Sequence, residues 1–219
     1  MHVSVIIPAY NAAQTLPAVL AEIPRLNVQE IIVVDNGSTD QTFRVAQEAR
    51  VKVVFEPRRG YGQACQSGLR ALAPEADVVV FLDGDGSYAP ADLPRLLEPL
   101  QQSRADVVLG SRLLGTQQPE GMGALERRMV RAACRLLVLR GGPRCTDVGS
   151  FRAIRRQALG GLRLTARGAS WLIDMQRHAL KASLRLVEIP VQTRRRSSYP
   201  LALGTGPALA TIWTLLRPW

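Results

Sequence analysis

The chain has 219 residues, of which 47% are hydrophobic and 21% charged, and these proportions exclude a disordered protein. Its formal net charge of +10 favours an anionic partner, which leaves a nucleotide, a phosphorylated substrate, a nucleic acid or an acidic lipid. The three cysteines are widely spaced and the two histidines are far apart, so a disulfide framework and a histidine-rich metal site are both excluded.

The two ends of the sequence bear on localisation. The N-terminus opens directly into the apolar run "VSVIIP", so we expect no signal peptide and a cytoplasmic protein. No run of ~20 apolar residues is present, so we expect no spanning helix. The apolar segment 201–216 is predicted to pack on the core or to lie on the inner face of the membrane.

The first half of the chain alternates between two kinds of segment. Short runs rich in Val and Ile predict strands buried on both faces, namely "VSVIIP", "EIIVVD", "VKVVFE", "DVVVFLD" and "ADVVLGS". Helical patterns lie between them, at 12–26, 39–50, 61–72 and 91–102. This alternation predicts an α/β fold with a mostly parallel sheet and helices on both of its faces.

The second half is less regular. It predicts a basic amphipathic helix at 124–140, a short strand in "VGSFRAIRR", a helix in "ASWLIDMQRHALKA" and a strand in "LRLVEIP". We expect a single domain, with a nucleotide-binding half at 1–112 and an acceptor-side half at 113–219. The second half would end in the C-terminal surface or interfacial helix.

The turn after the fourth predicted strand holds two carboxylates, Asp83 and Asp85, separated by Gly84. Like charges so close repel each other unless a cation or a hydrogen-bonding ligand lies between them. Mg²⁺ and Mn²⁺ prefer oxygen ligands and often share their shell with substrate phosphates, so we predict a divalent cation here. Gly84 allows a sharp turn and the close approach of a ligand. The alternative is a solvated Asp-Gly turn.

Other polar residues follow the remaining strands at the same predicted edge of the sheet. Asp35 ends the second strand and is predicted to accept hydrogen bonds from a base or ribose. Gly60 precedes a helix, where the N-terminus favours anions. Arginine forks suit phosphate oxygens, and solvated surface arginines are the alternative. The candidate phosphate or acceptor ligands are Arg112, Arg128, Arg194 and Arg196.

Taken together, these stretches resemble family 2 glycosyltransferases with the GT-A fold. The resemblance rests on "SVIIPAYN", "IIVVDNGSTDQT" and the Asp-x-Asp motif in "DGDG", and it covers nearly the whole chain. Within that family the chain is most similar to polyprenyl- and dolichyl-phosphate sugar synthases. The stretches that carry this closer resemblance are "RGYGQACQSGL", "FLDGDGSYAPADLPRLL", "VLGSRL", "DVGSFRAIRR" and "EIPVQTRRR".

The resemblance implies a nucleotide-sugar donor, a divalent cation, and an acceptor that is a polyprenyl phosphate or another molecule at the membrane surface. Pro8, Tyr10 and Asn11 would line the nucleotide pocket, and Asp35 and Asp83 would contact base and ribose. Asp85 would bind Mg²⁺ or Mn²⁺. Asp174 falls where inverting members carry an acceptor-side carboxylate, and Asp147 is a second candidate for that role.

Two departures from the family pattern both lie on the acceptor side. The chain has "SSYPLALGT" where relatives carry a Gly-x-Ser-Lys stretch, and Ala169-Ser170 where they carry an aromatic-glycine pair. Two other functions stay open, a non-catalytic nucleotide-sugar-binding module and a sugar-phosphate nucleotidyltransferase. A nucleic-acid partner rests on charge alone and is not expected, because no aromatic stacking platform accompanies the arginines.

Overall fold

The computed structural model describes residues 1–114, 122–139 and 144–194. The predicted C-terminal helix at 201–216 lies outside the described residues, and so does Arg196. None of the described helices is both long enough and apolar enough to cross a membrane.

The described strands and helices alternate through the first half of the chain, as predicted. The strands there are β1 (Val3–Ala9), β2 (Glu30–Asp35), β3 (Lys52–Phe55), β4 (Val78–Phe81) and β5 (Val107–Ser111). The helices are α1 (Leu16–Glu22), α2 (Thr42–Glu48), α3 (Tyr61–Arg70) and α4 (Leu93–Gln101), with short 3-10 turns at Arg25–Asn27 and Pro90–Asp92. The predicted helix at 12–26 is shortened because Pro17 stands in the first turn of α1 and Pro24 follows its end.

The second half contributes α5 (Ala124–Leu139), β6 (Arg152–Arg155), α6 (Arg156–Gly160), α7 (Trp171–Lys181) and β7 (Leu186–Pro190). The seven strands of the described residues belong to one sheet in the order β3-β2-β1-β4-β6-β5-β7. Strand β6 is antiparallel to both β4 and β5, whereas the other pairs are parallel. The sheet is therefore mostly parallel, and every strand except β6 ends at one common edge.

Helices cover both faces of the sheet. On one face, β1 buries Val5 and Ile7 in a cluster that also contains the apolar residues of α1 and α4. On the other face, Ile6 joins a cluster with α3 and α7, whose Trp171 packs edge-on against Phe81 at a centroid distance of 4.9 Å. Alternate residues of one strand thus supply two separate cores, as expected for a strand with helices on each side.

One sequence prediction about the strands is wrong. The run "VKVVFE" was expected to be buried on both faces, but β3 is an edge strand whose residues are half-buried or exposed. Phe55 is 57% exposed and meets Phe43 of α2 edge-on at 6.3 Å. Composition alone does not separate an edge strand from a central one, because both are rich in β-branched residues.

Candidate active site

The Asp-Gly-Asp turn is held against the ends of β1 and α1. The Gly84 amide donates to the carbonyl of Pro8 at 3.3 Å, and the Thr15 hydroxyl donates to the carbonyl of Gly84 at 2.7 Å. Within the turn, the Ser87 amide donates to Oδ1 of Asp85 at 2.9 Å. Hydrogen bonds to neighbouring elements therefore hold the turn in place. The contribution of Pro8 is its backbone carbonyl, which accepts the Gly84 amide.

Gly84 fits a tightly packed position in the turn. A Cβ atom there would lie 3.3 Å from Ala9 Cβ and 3.3 Å from Ile7 Cγ2, tighter than normal contacts. Gly84 thus approaches β1 closely, and the close approach of a ligand there stays a prediction. Gly86 has a φ of +73°, in the left-handed region that glycine adopts without strain.

The two carboxylates of the turn lie in different environments. Asp83 is buried and accepts a hydrogen bond from the hydroxyl of Ser150, in the loop before β6. Asp85 is half-buried at the edge of the sheet. Both residues were predicted to bind the metal, and the structure makes Asp85 the more accessible carboxylate. Ser150 was missed, although it lies in the quoted stretch "VGSFRAIRR".

Asp35 and its neighbour Asn36 join the loops after β2 and β3. Asp35 is buried, and its Oδ1 accepts the Ser38 amide at 3.1 Å. Asn36 donates from Nδ2 to the carbonyl of Arg58 at 2.7 Å and accepts the Gly60 amide at 2.8 Å. Asn36 therefore fixes the approach to α3, a role that the sequence did not predict.

Tyr10 and Asn11 follow β1 and lie next to the loop after β2. Asn11 has a φ of +47°, and its Oδ1 accepts the Thr39 amide at 2.8 Å. Its own amide donates to the hydroxyl of Ser38 at 3.0 Å. The guanidinium of Arg59 lies 3.1 Å from the centroid of the Tyr10 ring, a cation–π contact. The loops after β1, β2 and β3 thus meet at one corner of the edge.

Glu56 anchors the loop that leads into α3. This buried carboxylate accepts hydrogen bonds from the amide of Arg58 at 3.0 Å, from Gln63 at 3.2 Å and from Ser67. Its hydrogen bonds from the Arg58 side chain and from Ser67 outweigh the effect of burial and lower its pKa to about 2. The burial of Glu56 could not be predicted from the sequence, because a glutamate that follows an edge strand is normally exposed.

Asp174, the predicted acceptor-side carboxylate, lies in the first turn of α7. Its Oδ2 accepts the amides of Thr165 at 3.1 Å and Ala166 at 3.2 Å, and its Oδ1 lies 3.4 Å from Nε2 of His178. The loop that it holds crosses the start of α3, where the Gln63 amide donates to the carbonyl of Arg167 at 2.8 Å. Asp174 therefore has a structural task in addition to any chemical one.

Asp147 and Arg112 form a buried ion pair with each other. Arg112 donates from Nε and from Nη2 to the two carboxylate oxygens of Asp147, both at 2.8 Å. Burial alone would raise the pKa of Asp147, but the charge of Arg112 and the hydrogen bonds from Arg112 and the Val148 amide together outweigh it, so the pKa is lowered. The Arg112 side chain is only 8% exposed. The catalytic role of Asp147 and the phosphate-binding role of Arg112 therefore stay predictions, and in this structure the two side chains bind each other.

Two of the remaining predicted arginines, Arg128 and Arg194, lie within the described residues. Arg128 lies on the exposed face of α5. The Arg194 side chain pairs with Glu22 at 2.7 Å, although its amide donates to the carbonyl of Ser87 at 3.0 Å and so keeps its backbone beside the turn. Arg196 is outside the described residues.

Arg152 is a buried cation that sequence reasoning missed. It is fully buried in β6 and donates to the carbonyls of Gly149, Val148 and Leu172, the last at 2.9 Å. These bonds tie the loop before β6 to the start of α7. The sequence did contain a sign of this buried cation, because Arg152 stands inside the apolar run "FRAI". A buried arginine needs hydrogen-bond partners such as these carbonyls.

The family model for glycosyl transferase family 2 matches residues 4–162. This chain belongs to glycosyl transferase family 2. It is therefore a glycosyltransferase of GT-A fold, and the nucleotidyltransferase alternative is set aside. The match includes the Asp-Gly-Asp turn and the loops after β1 and β2.

Curated relatives of this glycosyltransferase cover most of its length. An uncharacterized glycosyltransferase of Mycobacterium tuberculosis is 36% identical over 195 residues, which are 86% of this chain and 84% of the relative. The undecaprenyl-phosphate mannosyltransferase of Micrococcus luteus is 33% identical over 87% of this chain and 83% of its own length. The dolichyl-phosphate hexose transferase of Haloferax volcanii is 31% identical over 89% of this chain and 83% of its own length.

Solved structures agree with the fold. Glucosyl-3-phosphoglycerate synthase from Mycobacterium tuberculosis, in complex with Mn²⁺, UDP and phosphoglyceric acid, superposes with a TM-score of 0.80 at 27% identity. The similarity covers 98% of this chain and 77% of that one. The same synthase has also been solved with Mg²⁺ and UDP, at a TM-score of 0.76.

The carboxylates of the turn fit a shared metal site. Among the described residues, no group of three His, Cys, Asp or Glu side chains could enclose an ion. One or two carboxylates at an open edge are the usual protein contribution to a Mg²⁺ site that is completed by substrate phosphates and water. The donor set of Asp85 with Asp83 is of that kind.

Proposed function

We propose that this glycosyltransferase moves a sugar from a nucleoside diphosphate to the phosphate of a lipid carrier such as a polyprenyl phosphate. In this proposal residues 1–112 bind the donor and residues 113–219 supply the acceptor side. Support comes from the relatives named for undecaprenyl-phosphate and dolichyl-phosphate transfer. The carrying observation is that the two acceptor-side carboxylates, Asp174 and Asp147, are both held in structural contacts.

The donor would lie across the carboxyl edge of the sheet. Asp85, with Asp83 behind it, would hold Mg²⁺ or Mn²⁺, which when bound offsets the charge that develops on the leaving diphosphate. Asp35, Tyr10 and Asn11 would form the pocket for base and ribose at the corner where three loops meet. The Gly60 amide is bonded to Asn36, so Gly60 would shape this pocket through its backbone turn.

The choice of a phosphate acceptor is supported by the different requirements of hydroxyl and phosphate nucleophiles. A hydroxyl group requires a base to remove its proton as it attacks the anomeric carbon, and a positioned base contributes ~10²–10⁴-fold. A phosphate is already ionised near neutral pH and needs only to be positioned. Asp147 is neutralised by Arg112, and Asp174 accepts two backbone amides. Both arrangements favour an acceptor that supplies its own negative charge.

A second acceptor is suggested by the structural neighbours, one of which was solved with phosphoglyceric acid. That molecule offers a hydroxyl group as the nucleophile, so the two acceptors differ in their need for a base. A direct comparison of the two therefore tests the proposal.

The test is a transfer assay with Mn²⁺ and a panel of UDP- and GDP-sugars. The acceptors are undecaprenyl phosphate in detergent, undecaprenol as the matched control without phosphate, and phosphoglyceric acid. We expect transfer to undecaprenyl phosphate alone, in the presence of the cation. Transfer to phosphoglyceric acid or to undecaprenol, with none to undecaprenyl phosphate, would contradict the proposed acceptor.

A further inference from the structure

We propose that the exposed face of α5 is a docking surface for an anionic lipid membrane. Six residues at spacings of three, four or seven share this face and are exposed, namely Leu125, Arg128, Arg131, Arg135, Val138 and Leu139. Residues so spaced lie on one side of a helix. We call these six residues the α5 outer face.

The opposite side of α5 is fixed to the rest of the protein. Val130, Cys134 and Leu137 are buried in a cluster with Ile173 of α7 and Cys145. The orientation of the helix is therefore set by packing, and the α5 outer face points to solvent because the inner face is occupied. A rigid helix whose one side is anchored presents its other side as a fixed surface.

The charge of the α5 outer face suits anionic lipids. It carries Arg128, Arg131 and Arg135 and no acidic residue. The one acidic residue of the helix, Glu126, instead lies 3.4 Å from Nη1 of Arg112 on the inner side. Each basic residue near an anionic leaflet strengthens binding by about fivefold, so three together supply on the order of 100-fold.

The apolar residues at the two ends distinguish a membrane from other anionic partners. Leu125 is 70% exposed and Leu139 is 82% exposed, with the arginines between them. Leucines that flank a basic stripe can enter the headgroup region while the guanidinium groups stay at the phosphates. The α5 outer face contains no aromatic residue, so it lacks the stacking groups that single-stranded nucleic acid needs.

Docking through α5 would orient the acceptor side of the fold. Glu126 contacts Arg112, which binds Asp147 in the loop before β6, so the helix is connected to that side through two ion pairs. The proposal goes beyond the transfer reaction, because membrane binding requires neither donor nor acceptor. It can therefore hold or fail independently of the proposed acceptor.

The test is vesicle co-sedimentation of three proteins of known charge. The first is the natural chain and the second is R128Q/R131Q/R135Q. The third is the matched control R25Q/R44Q/R50N, which removes three exposed arginines near α1 and α2, far along the sheet from α5. Asparagine is chosen at Arg50 because the φ there is +54°. Circular dichroism melting shows whether each variant is folded.

We expect the natural chain to bind vesicles containing phosphatidylglycerol and to bind phosphatidylcholine vesicles weakly. The α5 variant should bind the anionic vesicles on the order of 100-fold more weakly, and the control should stay within about fivefold of the natural chain. Leu139→Ser should also weaken binding, and added salt should weaken it further.

Four results would overturn the proposal. The first is failure of the natural chain to bind anionic vesicles. The second is binding by the folded α5 variant that equals that of the natural chain, and the third is a loss by the control as large as that of the α5 variant. The fourth concerns nucleic acid. Tighter binding of duplex DNA than of vesicles, lost with the same three arginines, would assign the surface to nucleic acid instead.

Discussion

Asp174 shows how one side chain can combine a predicted chemical role with a structural one. It lies in the first turn of α7, where the positive end of the helix dipole favours a carboxylate. Its Oδ2 also accepts the amides of Thr165 and Ala166, so it closes the loop that crosses α3. A residue with these hydrogen bonds positions a loop. Transfer to a phosphate acceptor would need Asp174 for this positioning and would not need it as a general base.

Substitution of Asp174 separates these roles. Asp174→Asn keeps a carbonyl oxygen for the two amides, so we expect kcat to fall less than about tenfold with an unchanged pH profile. Loss of a general base would instead reduce kcat by ~10²–10⁴-fold and change the profile. The measurement is kcat against pH for the natural chain and the variant. Asp174→Ala, which leaves both amides unsatisfied, should cost ~1–3 kcal/mol of unfolding free energy.

Glu56 makes a second prediction at the scale of one residue. Its pKa is lowered from 4.5 to about 2 by its hydrogen bonds, so the carboxylate stabilises the fold above pH 4.5. That contribution is lost as the pH falls through the folded pKa near 2. Glu56→Gln should lower the unfolding free energy by roughly 2–3 kcal/mol at pH 7 and by progressively less below pH 4.5.

The measurement for Glu56 is urea denaturation at a series of pH values. Glu48→Gln is the matched control, because Glu48 is 62% exposed and, within the described part of the chain, forms its ion pair with exposed Arg44 on the surface of α2. We expect that control to change stability by less than about 1 kcal/mol. Equal effects of the two substitutions, or a Glu56→Gln effect that grows in acid, would refute the account of Glu56.

At the scale of elements, the contact between α3 and the loop at 165–168 depends on glycine. A Cβ on Gly62 would lie 2.4 Å from the carbonyl oxygen of Ala166 and 2.7 Å from Trp171 Cβ, so the loop would have to move. Gly62→Ala should therefore cost ~1–3 kcal/mol of unfolding free energy, because backbone cannot rearrange as a flexible side chain can.

Gly160 provides the matched control for this prediction. A Cβ there meets nothing within 4 Å, so Gly160→Ala should be neutral or slightly stabilising. Thermal or urea denaturation measures both variants. If Gly62→Ala were as stable as Gly160→Ala, the loop would not be held against α3 as described.

Most of the strands and helices were predictable from the sequence because their signals are local, whereas the five-residue helix α6 was not predicted. Runs of Val and Ile indicated each of the first five strands, and apolar periodicity indicated the helices between them. The direction of β6 was not predictable, because an antiparallel partner between β4 and β5 is decided by pairing over more than 70 residues of sequence. The exposure of β3 was missed for a related reason, since strand order decides which strand lies at an edge.

At the scale of the whole molecule, the common edge of the sheet was predictable while the contacts along it were not. Parallel strands end together, so Asp35 and Asp83 could be placed at one edge from the sequence. The partners that engage these side chains come from distant segments. Ser150 binds Asp83 across 67 residues, and Arg112 binds Asp147 across 35. The spacing of residues in the sequence does not predict such long-range pairs.

The proposed function depends on a divalent cation that the Asp-Gly-Asp turn holds and that binds the donor diphosphate. The test is calorimetric titration of nucleoside diphosphates into the natural chain, with Mn²⁺ and with chelator. Asp85→Asn removes the accessible carboxylate, whereas Asp77→Asn is a matched control at the opposite edge, where the side chain is 62% exposed. We predict Mn²⁺-dependent binding by the natural chain and by Asp77→Asn, and a loss on the order of 100-fold in a folded Asp85→Asn variant. Unchanged Mn²⁺-dependent nucleotide binding by Asp85→Asn would contradict the account.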